Sequence, residues 1–375
     1  MGGTLADLDR LNIERPTLVL DRERALRNIE RMAGRARSSG VLLRPHFKTH
    51  QSRAVGRWFR DAGTEAIAVS SVQMARYFAD DGWSDITIAF PLNRRELRDI
   101  AELAERVRLG LLVDSVDAVT ALRQGVAAPT RVWIKVDTGC GRAGVAWDDE
   151  AGLSALAGAL RSAGGHEPAG VLTHNGSTYR ERTRDGVLRA HAEAMSRLSA
   201  AVNVVSGASG AACDVSIGDT PSASLVDDLD GADEIRPGNF VFNDLMQMAT
   251  GSCTPDDIAV AVACPVVSVY KDRREALLYG GAVHLSLDSI YDESGRTVFG
   301  QVSHGWPETA TTDAPVVSVS QEHGIVSLSG DDRRLSPGDV ACVLPVHSCL
   351  TCNLYHEYVT LDGEKLPTIN GACGL

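Results

Sequence analysis

Residues 66–114 read AIAVSSVQMARYFADDGWSDITIAFPLNRRELRDIAELAERVRLGLLVD. Three short apolar runs, Ala66–Ser70, Asp85–Phe90 and Arg108–Asp114, are separated by longer amphipathic segments, Val72–Ala79 and Arg94–Arg106. Short runs that are apolar or β-branched for most of their length suit strands of a parallel sheet, buried on both faces. The rhythm extends both ways. Val41–Arg44 precedes it, and Arg131–Asp137, Ala169–His174, Asp214–Gly218 and Asp233–Arg236 follow, with helical stretches at Ser154–Ala163 and Thr183–Ala201. An earlier helix, Arg22–Arg37, starts behind Asp21 as its N-cap and carries Leu26, Ile29, Met32 and Ala36 at helical spacing. Eight strands alternating with helices over roughly 200 residues predict a (β/α)8 barrel with its active site at the C-terminal ends of the strands. The same alternation allows an open doubly wound sheet, but the count of eight favours the barrel.

After about Asp244 the pattern changes. Ile258–Val269, Glu275–Tyr279, Val316–Val319, Gly324–Leu328, Val340–Val343 and Leu354–Thr360 read as strands between Gly, Asp, Ser and Pro turns. Two domains follow: a barrel over 21–244, and a mainly antiparallel β domain over 245–375 joined by 1–20, with Pro16–Leu20 as an extra strand. A chain of 375 residues exceeds the size at which one core stops growing.

Lys and Arg number 37 against 49 Asp and Glu, a net charge of −12, and no basic face for nucleic acid is visible. No run is long and apolar enough to span a membrane. The eight cysteines (140, 213, 253, 264, 342, 349, 352 and 373) are scattered, unlike a disulfide scaffold, and point to a reduced, cytoplasmic protein.

Polar and glycine-rich clusters end five barrel strands: RPHFKTH (Arg44–His50), VDTGCGRAG (Val136–Gly144), THNGSTY (Thr173–Tyr179), IGDTPS (Ile217–Ser222) and IRPGN (Ile235–Asn239). Lys48 lies among Arg44, His46 and His50, a crowd of positive charge that favours a free, nucleophilic amine, or else a solvated basic loop. GCGRAG matches the glycine spacing of a dinucleotide fingerprint, yet no acidic residue for a ribose lies between Glu150 and Glu167. IGDTPS and RPGN offer backbone N–H groups to a phosphate, or form ordinary turns; the loops after barrel strands 7 and 8 commonly make such a site. VHSCLTCNLYHEY (Val346–Tyr358) carries His347, Cys349, Cys352 and His356. In an extended segment His347 and Cys349 face one side and the other two face away, so one side offers two donors and an open, catalytic kind of zinc site. Thiolate with imidazole favours zinc over magnesium or calcium. The bland alternative is a buried cysteine beside a polar histidine.

In this order, PHFKTH, VDTGCGRAG, HNGSTY, GDTPS, RPGNFVFND and HSC resemble the fold-type III pyridoxal-phosphate enzymes, and more narrowly the D-serine dehydratase and D-threonine aldolase family, related to alanine racemase. The match runs from about Pro16 to the C-terminus. The resemblance implies a Schiff-base lysine at Lys48, a phosphate cradle of Gly218, Thr220, Gly238 and Asn239, and His174, Tyr179 and Arg142 around the pyridoxal ring. It implies metal ligands at His347 and Cys349, with zinc expected ahead of manganese. Family aldolases typically carry Asp at the second metal position, so Cys349 looks like the zinc-dependent dehydratase branch. Phe240 stands where Tyr is common, and Ser177 where a dehydratase often has His. The implied activity is loss of the β-hydroxyl from a D-3-hydroxy amino acid, giving a 2-oxo acid and ammonia, in a homodimer. The rivals are a D-threonine or 3-hydroxyaspartate aldolase, a 3-hydroxyaspartate dehydratase, a racemase that leaves the metal pair idle, and a non-catalytic pyridoxal-phosphate carrier.

Overall fold

The computed structural model describes residues 11–312, 314–328 and 335–372. Residues 1–10, assigned above to the β domain, and Cys373 lie outside the described residues. Contacts divide the chain into two units. One takes Met32–Lys48 and Phe59–Gly238; the other takes residues up to Arg31, Thr49–Trp58 and residues from Asn239 onward.

The first unit is a (β/α)8 barrel. Its eight strands are Leu42–Leu43, Ala66–Val69, Asp85–Pro91, Arg108–Val113, Arg131–Asp137, Glu167–Leu172, Asp214–Ile217 and Glu234–Ile235. They run parallel in the order 1-8-7-6-5-4-3-2, and a bridge between His46 and Ala68 closes the ring. Every residue of Ala66–Val69 is buried, as expected of a strand covered on both faces. Leu112, Trp133, Ala169 and Leu172 pack together between neighbouring strands. Gly170 has φ +143°, and a Cβ there would stand 2.0 Å from the Asp214 carbonyl oxygen, so only glycine lets strands six and seven approach. The helix Val72–Ala79 begins where Ser71, in extended backbone, accepts from the Met74 amide at 3.1 Å.

The second unit is built on a nine-stranded sheet. Its order is Glu275–Tyr279, His323–Ser327, Ala314–Val319, Gly300–Ser303, Val340–Pro345, Val260–Tyr270, Thr17–Leu20, Glu357–Thr360, Lys365–Pro367. All neighbours are antiparallel except Thr17–Leu20 beside Glu357–Thr360. The early strand therefore joins the late sheet, pairing Thr17 with Ala263 and Leu20 with Val260. Val19, Ile258, Ala261, Trp306 and Leu344 form its core, and the Trp306 indole donates to the Ile258 carbonyl at 3.1 Å. Asp21 caps the helix Arg22–Ser38, accepting from the Arg24 amide at 3.0 Å.

One expectation fails. Residues 346–358 are not extended: Ser348–Asn353 is a helix with His347 at its N-cap, and the strand starts only at Glu357. The cause is Asp244, whose buried carboxylate accepts from the Ser348 amide at 2.8 Å and satisfies a donor the helix leaves open. Among the described residues no helix is long and apolar enough to cross a membrane.

Candidate active site

Within the barrel, the fifth strand and the loops after the first, fifth and eighth strands bring four cations around two histidines. His46 lies in the field of Lys48, Arg236, His174 and Arg142, and His174 in that of Arg142, Lys48, Lys135 and Arg236. Enclosure first, and then these charges, hold both imidazoles well below their usual pKa, so they stay neutral. Lys135 is held down at about 8 by burial and by Arg236 and Arg142, and donates to the Val136 carbonyl at 3.0 Å. Burial likewise lowers Arg236 to about 10, and its guanidinium donates to Ser216 Oγ at 3.0 Å and to the Thr173 carbonyl.

Tyr179 stacks at 5.9 Å from His174, and its hydroxyl accepts from the Thr220 amide at 3.1 Å. Asp219 caps the turn Thr220–Leu225 through the Ser222 amide at 2.6 Å. A Cβ on Gly218 would lie 3.1 Å from the Arg236 guanidinium, so glycine leaves that side chain its place. The buried hydroxyl of Thr220 has no partner among the described residues. An unpartnered hydroxyl beside a cationic loop cluster suits an anion that accepts hydrogen bonds. Pyridoxal phosphate meets that description, so these residues fit the group. Gly238 ends the eighth-strand loop, where the Pro237 carbonyl accepts from the His46 amide at 2.9 Å.

The expected crowd of charge on Lys48 is corrected. Arg44 is paired with Glu234 at 2.6 Å and with Asp85, two carboxylates from strands eight and three. His46 is neutral, and burial lowers His50 to about 3. The cations near His46, Lys48 apart, come from other strands.

The second unit holds the His347–Cys349 pair. The two side chains hydrogen-bond, and His347 Nδ1 meets Asp288 Oδ2 at 2.6 Å. Enclosure works against charge on this ring, but Asp288 and Cys349 outweigh it and lift the pKa to about 11. The surroundings thus favour positive charge at His347, whether a proton or a metal ion. Cys349 Sγ lies 3.1 Å from Thr49 Oγ1 and 3.6 Å from Asn239 Nδ2, and the Asn239 amide also donates to Asp244 at 2.6 Å. Asn239 Nδ2 is thereby committed to Asp244 and Cys349, while its buried Oδ1 has no partner among the described residues. Cys352 is buried and His356 exposed, and neither joins the pair. Among the described residues no three or more His, Cys, Asp or Glu side chains gather as a metal cage. Imidazole and thiol without further protein donors fit an open zinc site, with room for water and substrate.

Residues 20–245 match the family described as "Alanine racemase, N-terminal domain", and 259–361 the one described as "Putative serine dehydratase domain". D-threo-3-hydroxyaspartate dehydratase of Delftia sp. strain HT23 is 33% identical over 94% of this chain and 96% of its own. The chain belongs to the D-serine dehydratase and D-threonine aldolase family of fold-type III pyridoxal-phosphate enzymes. The solved structure of the Delftia enzyme superposes with a TM-score of 0.87 at 32% identity, covering 96% of this chain and 98% of that one. Two more distant members of the family are D-serine dehydratase of Dictyostelium discoideum, 27% identical over 96% of this chain and 95% of its own, and D-threonine aldolase of an Arthrobacter sp., 26% identical over 94% and 90%.

Sequence reasoning missed Lys135, Arg236, Asp219, Asp244 and Asp288. Four were within reach. Asp219 lies in IGDTPS, Arg236 and Asp244 open and close RPGNFVFND, and Lys135 shares a strand face with Asp137. Asp288 is a lone carboxylate far from the HSC motif and carries no pattern.

Proposed function

We propose that this chain is a pyridoxal-phosphate- and zinc-dependent lyase that removes the β-hydroxyl of a D-3-hydroxy amino acid, releasing a 2-oxo acid and ammonia. The observation that carries the reading is the donor pair of the second unit: an imidazole held on a carboxylate and bonded to a thiol, in a chain whose family relatives are named dehydratases and aldolases of D-hydroxy amino acids. The second donor beside His347 is the Cys349 thiol, at the position where family aldolases typically carry Asp, which supports elimination over carbon–carbon cleavage.

Bound pyridoxal phosphate supplies the electron sink for charge developing at the α-carbon. Lys48 anchors the cofactor and its Nζ takes the α-proton. Neutral His46 and His174 add no further positive charge beside Lys48. Arg236, Lys135 and Arg142 balance the anionic charge of cofactor and substrate. His347 and Cys349 would hold the zinc, which would supply Lewis acidity for loss of the β-hydroxyl. Thr49 and Asn239, flanking Cys349, orient the sulfur. The 33% identity to a D-threo-3-hydroxyaspartate dehydratase supports a dicarboxylic substrate as a second reading of the same elimination.

The test is 2-oxo acid release from D-serine and from D-threo-3-hydroxyaspartate by cofactor-loaded protein, with and without a chelator. Release that the chelator stops and zinc restores supports the reading, and the faster substrate settles the side chain. Glycine and acetaldehyde from D-threonine, with no 2-oxo acid from either substrate, would replace elimination by the retro-aldol reaction.

A further inference from the structure

Asp288 lies in the loop that leaves the short helix Ala282–Leu285, 59 positions before His347 in the chain. Three features build this loop around the HSC helix. First, Asp288 Oδ2 stands 2.6 Å from His347 Nδ1, which leaves Nε2 as the ring nitrogen that Asp288 does not engage. Second, Thr351 Oγ1, on the helix that carries Cys349, donates to the Leu285 carbonyl at 3.0 Å, tying the loop to that helix. Third, Ser286 takes φ +71° and ψ 178°, a conformation almost confined to glycine. Its hydroxyl accepts from the Asp288 amide at 3.2 Å, which holds the aspartate at that turn. Glycine in its place would lose the hydroxyl that fixes Asp288.

We propose that Asp288 is the positioning carboxylate of the metal site: it accepts the Nδ1 proton of His347, fixes the tautomer, and presents Nε2 to the metal. A carboxylate behind a ligating histidine raises the basicity of the ring and sets its orientation, and loss of such a partner typically costs 10–100-fold in metal affinity. Ser286 and Thr351 hold the loop that delivers it. This inference rests on His347 and Cys349 being the ligands.

The experiment uses full-length, cofactor-loaded protein. Zinc affinity is measured by competition with a chromophoric chelator, and the cobalt-substituted protein gives ligand-field bands that report whether His347 coordinates. Asp288→Ala is expected to weaken zinc about 10–100-fold and to shift the cobalt bands, with the cofactor absorbance unchanged. Asp288→Asn, which still offers an oxygen to Nδ1–H, is expected to recover part of the loss. Asp288→Ser carries the same comparison should the alanine variant not fold. Wild-type zinc affinity and cobalt bands in the alanine or serine variant overturn the proposal. His347→Ala and Cys349→Ala run alongside: if they lose zinc while Asp288→Ala does not, only this inference falls. If they too bind zinc as wild type does, the metal assignment itself falls.

Discussion

Replacing His50 with Asn removes an imidazole two residues after Lys48 while keeping a side-chain acceptor near the Ser52 amide, which donates to His50 Nδ1 at 3.1 Å. Burial holds the pKa of this ring at about 3, against about 6.5 in an unfolded chain. The folded protein keeps His50 neutral, whereas the unfolded chain takes up a proton as the pH drops. Because the folded pKa is depressed, the stability is fully present above about pH 6.5 and is lost progressively as the pH falls toward 3. About pH 5 lies about 1.5 units below the unfolded pKa, and each unit is worth about 1.4 kcal/mol, so His50 alone removes about 2 kcal/mol between neutral pH and there. Urea unfolding of wild type and His50→Asn at both pH values isolates this share, since the remaining histidines are common to both. The wild type should lose about 2 kcal/mol more than the variant. By NMR, the ring C2–H signal that vanishes in the variant should not move between about pH 8 and about pH 5. A signal that titrates near pH 6.5, together with equal pH dependence of the two proteins, would refute the burial argument and return positive charge to the loop after Lys48.

Lys48→Ala should abolish turnover on every D-amino acid tested and remove the visible absorbance of lysine-bound cofactor; retention of either overturns the assignment. Cys349→Ala should lose zinc by elemental analysis while still binding cofactor, and full dehydratase activity in that metal-free protein would remove zinc from the mechanism. Arg44→Met strands the buried Glu234 carboxylate, which otherwise meets the guanidinium at 2.6 Å, and should cost about 3–5 kcal/mol in chemical unfolding. Adding Arg44→Met to Glu234→Gln should then cost far less than the sum of the two. Gly170→Ala sets a methyl 2.0 Å from the Asp214 carbonyl, and an unchanged melting temperature would mean that strands six and seven do not approach as described.

The barrel was legible because its signal is local and repeated. A strand buried on both faces is apolar for most of its length, and Ala66–Val69, Arg108–Val113 and Arg131–Asp137 each declare themselves within seven residues. The N-cap at Asp21 was legible for the same reason, since it sits three residues from the Arg24 amide from which it accepts. What stayed hidden depends on single residues acting across the chain. Nothing within SCLTCN requires a helix, because the amide of Ser348 is satisfied by Asp244, 104 positions away. The positive character read into RPHFKTH was an error of the same kind: Glu234 and Asp85 neutralise Arg44 from 190 and 41 positions away. Asp288 meets His347 over a separation of 59. Asp288 stands in no motif, and Asp244 closes RPGNFVFND without any sign there of the amide it meets. Each of these carboxylates nevertheless governs a residue that a motif had already singled out. Asp244 sets the helix that carries Cys349, Asp288 holds His347, and Glu234 takes the charge of Arg44 out of the loop around Lys48. Motifs therefore name the groups that can touch substrate, cofactor or metal. The tautomer, charge and orientation of those groups are set by solitary acidic residues that only the folded chain brings near.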